Sequence, residues 1–430
     1  MKLSKGWKWI PTLYFAEGLP YVAVMTVAVV MYKKLGLSNT EIALYTSWLY
    51  LPWVIKPLWS PFVDLIKTKR WWINTMQTLM AAAFAGVAFF IPADHYVQIT
   101  LAFFWLLAFA SATHDIAADG FYMHGLDEGG QSFFAGIRNI FYRVAMIFGQ
   151  GVLVMIAGWI EQGKLFPSLN GNIALSWSLS FYLLAAIFVA LTLWHRFVLP
   201  KPESDAPRSD ISAKTIWKEF ATTFVTFFKK DHMGLIFFFL LTYRLGESQL
   251  VKIAQPFMLD NTQAGGLELA TATVGGIYGT LGVIALLLGG MLSGVVISRN
   301  GFRRWLIPMA LAINLPDLVY IIMSLSGTQS VALISSFVFL EQFGYGFGFT
   351  AYTMFLIYIA RGEHKTAHYA IGTGFMALGM MLPGMVAGWI ADSIGYTLFF
   401  VWVCICTIPG IVASFLVKEK LPADFGQKKD

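Results

Sequence analysis

Charge is what this sequence has least of. Asp, Glu, Lys and Arg supply 13% of its 430 residues, against 57% hydrophobic residues. A soluble domain carries about twice that share of charge to cover its surface, so a water-solvated globule is excluded. Cysteine is nearly absent, with only Cys404 and Cys406. Two positions apart on a helix, they point to different sides. A mutual disulfide or a paired metal site is therefore excluded, which leaves them as small packing residues. His114, His124, His364 and His368 have no Ser or Cys patterned beside them as a nucleophile–base pair. An embedded acyltransferase, the rival from the enzyme class, thus lacks its chemistry. His114, Asp115, Asp119 and His124 match no standard metal spacing. No metal, cofactor or nucleic-acid partner is expected, and the net charge of +6 matters less than its placement.

Long apolar runs are what is abundant. Each is long enough to cross about 30 Å of hydrocarbon. They predict twelve spans, at 9–32, 42–66, 72–92, 97–122, 133–160, 177–199, 232–259, 272–298, 305–325, 329–360, 366–391 and 395–417. The lysines before the first span invite a signal-peptide reading, but the apolar stretch is too long and no small-residue cleavage site follows, so it reads as a retained helix. With the amino terminus placed in the cytoplasm, 22 Lys and Arg fall on that side, and three (Lys33, Lys34 and Lys164) fall outside. That asymmetry predicts cytoplasmic termini and an even number of spans.

The longest polar segment, Pro200 to Lys230, predicts a cytoplasmic linker between two halves. The expected division is 1–199, 200–231 and 232–430. The halves echo one another. Lys69-Arg70-Trp71 recurs as Arg303-Arg304-Trp305, offset by 234, and Ala157-Gly158-Trp159-Ile160 recurs as Ala387-Gly388-Trp389-Ile390, offset by 230. Gly149 falls on Gly379 at the second offset. A duplicated six-helix unit in parallel orientation marks the two halves of major facilitator transporters, whose solutes bind near the midplane. The expected fold class is all-α, twelve transmembrane helices in two pseudo-symmetric six-helix bundles.

A charge at bilayer depth costs several kcal/mol unless it is paired or hydrated, so the charges inside the spans are the functional pointers. They are Glu17, Lys56, Asp115, Asp119, Arg138, Arg143, Arg244, Glu247, Lys252, Asp317 and Glu341. All but Asp317 fall on spans 1, 2, 4, 5, 7, 8, 10 or 11, the set that lines and flanks the cavity in that fold. Asp317, beside Pro316 on span 9, is expected to serve packing. Glu17 shares a helix face with Tyr14 and Tyr21, where Gly18 and Pro20 permit bending. Asp115 and Asp119 stand at i,i+4 on one face, and Arg138 and Arg143 of the next span reach the same depth. Those arginines lie about 140° apart round their helix, so both do not face one point. Arg244 and Glu247 set opposite charges at i,i+3. Glu341, Tyr345, Gly348 and Tyr352 form one stripe, which suits a sugar ring or ordinary aromatic packing equally.

These residues also carry a resemblance. Tyr14-Phe15-Ala16-Glu17-Gly18-Leu19-Pro20, Lys56-Pro57-Leu58-Trp59-Ser60-Pro61, His114-Asp115-Ile116-Ala117-Ala118-Asp119, Tyr142-Arg143, Tyr243-Arg244-Leu245-Gly246-Glu247 and Thr366-Ala367-His368-Tyr369-Ala370 resemble the AmpG-type permeases. These sit with acetyl-coenzyme A transporters in one branch of the major facilitator superfamily. The departures are His114, where glutamine is expected, and Glu17, where small residues are common. The resemblance implies a proton-coupled importer of amino-sugar-containing anhydromuropeptide fragments at the bacterial inner membrane. Its expected partners are an anionic solute, protons and the bilayer. Proton coupling is assigned to Asp115, Asp119, Glu17, Glu247 and Glu341. Solute binding is assigned to Arg138, Arg143, Arg244, Lys56, Tyr14, Tyr21, Tyr345 and Tyr352, and gating at the loop after span 2 to Asp64, Lys69 and Arg70. Another acidic sugar or an acetyl-coenzyme A-like anion is the alternative solute.

The charge asymmetry makes a topological prediction. In a background without Cys404 and Cys406, single cysteines at Ser204 and Asn170 will react with an impermeant thiol reagent from opposite faces of the membrane. Labelling of both from one face would refute the topology.

Overall fold

The computed structural model describes residues 6–203, 205, 213–362 and 365–427. Among them the helices, in chain order, are α1 (Ile10–Lys34), α2 (Asn39–Trp48), α3 (Leu51–Ile55), α4 (Ser60–Leu65), α5 (Lys69–Phe90), α6 (Tyr96–Gly125), α7 (Gly129–Glu161) and α8 (Ile173–Val198). There follow α9 (Ala213–Phe228), α10 (Met233–Thr242), α11 (Leu245–Leu259), α12 (Thr271–Asn300), α13 (Phe302–Asn314), α14 (Leu318–Ser326), α15 (Val331–Ile359), α16 (Lys365–Cys406) and α17 (Ile408–Lys418). Nine helices among the described residues are long and apolar enough to cross a membrane. One of these stretches, 368–418, contains a break at Gly395, whose φ of 78° is non-helical, and so accounts for two expected spans. The expected spans 42–66 and 232–259 are present as interrupted helices. The first is broken into α2, α3 and α4 where Pro52, Pro57 and Pro61 withhold backbone donors. The second is broken between α10 and α11, at Tyr243–Arg244.

Contacts divide the chain into two helical units, residues 1–35 with 55–216 and residues 36–54 with 217–430. Within the first unit, α1 packs on α7 and α6, and α5 packs on α6 and α8. The α1–α7 approach depends on glycine. A Cβ on Gly18 would lie 2.8 Å from the Tyr142 carbonyl oxygen, and one on Gly149 would lie 2.3 Å from a methyl of Val22. Both helices carry a π-helical turn beside this contact, at Ala23–Val27 and Ile147–Leu153. Such bulges mark functional sites in many helices. Here each follows charged residues of its helix, Glu17 in α1 and Arg138 and Arg143 in α7.

Within the second unit, α11 and α2 both pack on α16, and α15 packs on α12 and α13. The grouping of α2 with this unit has local causes. A capping box between Ser38 and Glu41 starts the helix. Asp392 accepts from the Thr40 backbone N–H and hydroxyl, at 2.8 and 2.7 Å, placing a carboxylate where the helix dipole favours one. Asn39 donates to the Tyr396 hydroxyl at 2.9 Å, and Tyr396 donates to Asp260 at 2.5 Å.

The sequence repeat has structural counterparts. Gly149 of α7 faces α1, and Gly379 of α16 faces the Leu240 carbonyl of α10 at 3.3 Å from a built Cβ. The Lys69 and Arg70 N–H groups opening α5 donate to Asp205, beyond the end of α8, at 2.6 and 3.1 Å. Phe302 N–H, opening α13, donates to the Phe425 carbonyl beyond the end of α17 at 2.7 Å. Each unit thus ties the start of its third span to the segment following its sixth.

The backbone contacts of α15 predict a stability effect. A Cβ on Gly346 would come within 1.9 Å of the Leu286 carbonyl oxygen, whereas one on Gly294 would meet nothing within 4 Å. Overpacking of this kind costs about 1–3 kcal/mol. Gly346→Ala will lower the unfolding midpoint in detergent by several degrees, and Gly294→Ala will leave it unchanged or raised. Equal midpoints for the two variants would show that the α12–α15 contact yields freely.

Candidate functional site

In the first unit, α1, α6, α7 and the turn at Lys56 bring the expected charges together. Arg138 is the centre. Its Nη1 lies 3.2 Å from Asp119 Oδ1 and donates to the Tyr14 hydroxyl at 3.2 Å. Its guanidinium also stacks on the rings of Tyr14 and Tyr122, at 5.3 and 5.1 Å from their centroids. Tyr14 in turn donates to Asp119 at 3.4 Å. The Asp119 side chain keeps 54% of its surface exposed. Asp115 takes a different cation. Lys56 Nζ lies 3.9 Å from its Oδ2, and the carboxylate is the less exposed of the two at 15%. Each carboxylate of the i,i+4 pair thus has its own positive charge, which offsets their mutual repulsion.

Arg143 diverges from Arg138, as the 140° offset requires. Its Nη1 donates to the Met146 sulfur at 3.2 Å. The Tyr142 hydroxyl lies in electrostatic range of Tyr21, Asp115, Glu17 and Arg143. Glu17 is half-buried, with one oxygen enclosed and lacking a hydrogen-bond partner. Asp119, Asp115, Lys56 and Arg138 are its electrostatic neighbours.

Beside this cluster runs a buried polar chain that sequence patterning did not reveal. Thr12 Oγ1 meets His195 Nε2 at 2.9 Å, His195 Nδ1 meets Gln77 Oε1 at 2.9 Å, and Gln77 Nε2 meets His114 Nε2 at 3.0 Å. It joins four helices. His195 and Gln77 lie on α8 and α5, outside the spans that drew attention. His114 thereby packs away from Asp115, although the two are adjacent in sequence.

The second unit holds a comparable arginine. Arg244 donates to the Tyr345 hydroxyl at 2.7 Å and stacks on Tyr345 and Phe349, at 5.4 and 4.9 Å from their centroids. Glu247, one turn along α11, is 3% exposed. Glu341 on α15 is 2% exposed and accepts from Gln342 and from Tyr320. Asp317, expected to serve packing, belongs with them: one oxygen from each of Glu247, Asp317 and Glu341 lies within 4.8 Å of the others. It lies in the Leu315–Asp317 turn, where Pro316 interrupts the helix between α13 and α14. Tyr352 sits in the packed core, 1% exposed, with its hydroxyl on the Leu240 carbonyl at 2.8 Å. Lys252 is buried, donates to Thr46 at 3.0 Å and lies over the Tyr50 ring.

Of the residues expected to gate, the side chain of Asp64 lies outside the described residues. Lys69 is buried, and Arg70 donates to the carbonyls of Leu199, at 3.2 Å, and Arg196. The arginine thus satisfies the carboxyl-terminal end of α8.

The sequence profile of the Major Facilitator Superfamily matches residues 12–357. The chain is 23% identical over 422 residues to the anhydromuropeptide permease of Escherichia coli K12, covering 95% of this chain and 79% of the permease. It is 26% identical over 425 residues to an AmpG 4 transporter of Rickettsia conorii, covering 95% of each. The motif resemblance to AmpG-type proteins therefore extends along the chain. Among solved structures, a D-xylose-proton symporter superposes with a TM-score of 0.70 at 12% identity, covering 98% of each chain. The nucleoside transporter NupG superposes with a TM-score of 0.68 at 16% identity, covering 98% of this chain and 100% of that one. At such identities these two share the fold.

The buried polar chain predicts its own cost. Gln77→Leu strands ring nitrogens on His114 and His195, and each stranded buried group costs about 1–3 kcal/mol. The variant will show a clearly lowered unfolding midpoint or a reduced folded yield. A wild-type midpoint would mean that water replaces the amide there.

Proposed function

The chain belongs to the Major Facilitator Superfamily, a family of transporters rather than enzymes, and on that premise we propose that it imports cell-wall-derived anhydromuropeptide fragments together with protons. The proposed setting is a bacterial inner membrane, with both termini cytoplasmic and transport by alternating access. Support comes from the names of its full-length relatives, one of them an anhydromuropeptide permease.

The observation that carries the reading is the Arg138 assembly. A guanidinium framed by Tyr14 and Tyr122 and paired to a half-exposed Asp119 suits an anionic sugar. Arginine offers a carboxylate two parallel hydrogen bonds, and the tyrosines offer flat surfaces to a ring. Arg244, stacked on Tyr345 and Phe349, is a second such group.

The same assembly suggests how a proton is coupled. An exposed ion pair contributes only about 0–1 kcal/mol, so an incoming carboxylate can displace Asp119 from Arg138 at little cost. Asp119, without its cation, then takes up the proton that travels with the solute. Asp115 and Glu17 are the neighbouring carboxylates through which it exchanges. Lys69 and Arg70, with Asp64, act at the gate after span 2.

Reconstituted protein will show counterflow of labelled anhydromuropeptide, and a panel including acidic disaccharides and acyl-coenzyme A will define the solute. Failure with the muropeptide and success with another anion would replace the substrate. Asp119→Asn will keep counterflow and lose accumulation against a gradient. Wild-type accumulation by that variant would remove Asp119 from the coupling step.

A further inference from the structure

Glu247, Asp317 and Glu341 come from α11, from the Leu315–Asp317 turn and from α15. All three are buried, at 3%, 1% and 2% exposed, and one oxygen of each lies within 4.8 Å of the other two. Glu341 is satisfied by Gln342 and Tyr320. Both oxygens of Asp317 and one of Glu247 are enclosed without a hydrogen-bond partner. Three carboxylates at this spacing repel strongly in a low dielectric, and buried charges persist only when paired or coordinated. Arg244 acts electrostatically on Glu247 and offsets one negative charge of the three.

A second observation points the same way. Tyr278 projects from the π-helical turn Gly275–Gly282 of α12 and is 5% exposed. Among the described residues its hydroxyl has no hydrogen-bond partner, while its electrostatic neighbours include Glu341, Glu247 and Asp317. It is a buried oxygen on a fourth element, with all three carboxylates among its electrostatic neighbours. The helix is also interrupted here: Pro316 cannot donate to the Ala312 carbonyl, and Asn314 Oδ1 is enclosed without a partner. Interrupted helices of this kind hold ions in other membrane proteins.

We infer that Glu247, Asp317, Glu341 and Tyr278 form a binding site for a small hard cation of sodium or calcium size. Oxygens around such an ion stand about 2.3–2.6 Å from it, so opposite ligands lie up to about 4.6–5.2 Å apart, and three oxygens within 4.8 Å of one another can share one ion. The smaller magnesium ion demands about 2.0–2.1 Å and a tighter cage. The site lies within the second unit and does not depend on the identity of the solute.

The test uses the purified full-length chain without solute. Equilibrium dialysis against radiolabelled sodium or calcium will find one saturable ion per chain for one of them, with choline as the inert control. The unfolding midpoint will rise with that ion at constant ionic strength, as binding to the folded state requires. Asp317→Asn and Tyr278→Phe will each weaken half-saturation at least tenfold. Two variants guard against a folding failure in one. Binding of neither ion to the wild-type chain would overturn the proposal and leave shared protons as what holds the carboxylates together. Unchanged affinity in both variants would overturn it as well. Loss of muropeptide counterflow with ion binding intact would count against the proposed transport function alone.

Discussion

Charge inside a lipid-solvated bundle must be neutralised by something close at hand, and that constraint organises this structure. The first unit meets it with separate cations for adjacent carboxylates, Lys56 for Asp115 and Arg138 for Asp119. The pairs differ in exposure, so they differ in how readily they part. The second unit stacks Arg244 on aromatic rings and gathers three carboxylates a short distance away. Replacing a buried ion pair by well-packed apolar side chains is often neutral or stabilising. Their cost is therefore reasonable only where charge is to be moved or bound.

The helices are shaped to hold those charges. Gly18 and Gly149 let α1 and α7 approach closely enough to confine Glu17 beside the arginine-bearing helix. The Tyr243–Arg244 interruption and the Pro316 break each fall at an ionisable residue, Arg244 and Asp317, and the π-helical turns follow Glu17 and Arg143 by six and four residues. Backbone irregularity in a membrane is tolerated only where protein or water satisfies it. Its concentration around the charges links local backbone chemistry to the site.

Much of this was legible in the sequence because the bilayer imposes simple rules. Apolar length gave the spans, and the offsets near 230 reported a duplication that reappears as Gly149 and Gly379 facing corresponding helices. The charges inside the spans include the ionisable residues that meet in both clusters, and the i,i+5 spacing of Arg138 and Arg143 accounts for their different partners. Other features depend on contacts between helices far apart in the chain. Gln77 and His195 are unremarkable on their own helices and matter only because they meet His114 and Thr12. Asp317 lies on a span outside the usual lining set, yet in the turn that holds Pro316 it comes within 4.8 Å of Glu247 and Glu341. Residues 36–54 group with the second unit through Asn39, Thr40 and Lys252, whose partners lie some two hundred or more residues away.

The central proposal is that solute and proton move together. It is tested most directly by adding anhydromuropeptide outside proteoliposomes that hold a pH-sensitive dye and carry no imposed gradient. The account predicts lumenal acidification that begins with solute addition, is collapsed by a protonophore and is absent in Asp119→Asn. Solute entry with no change in lumenal pH would contradict it.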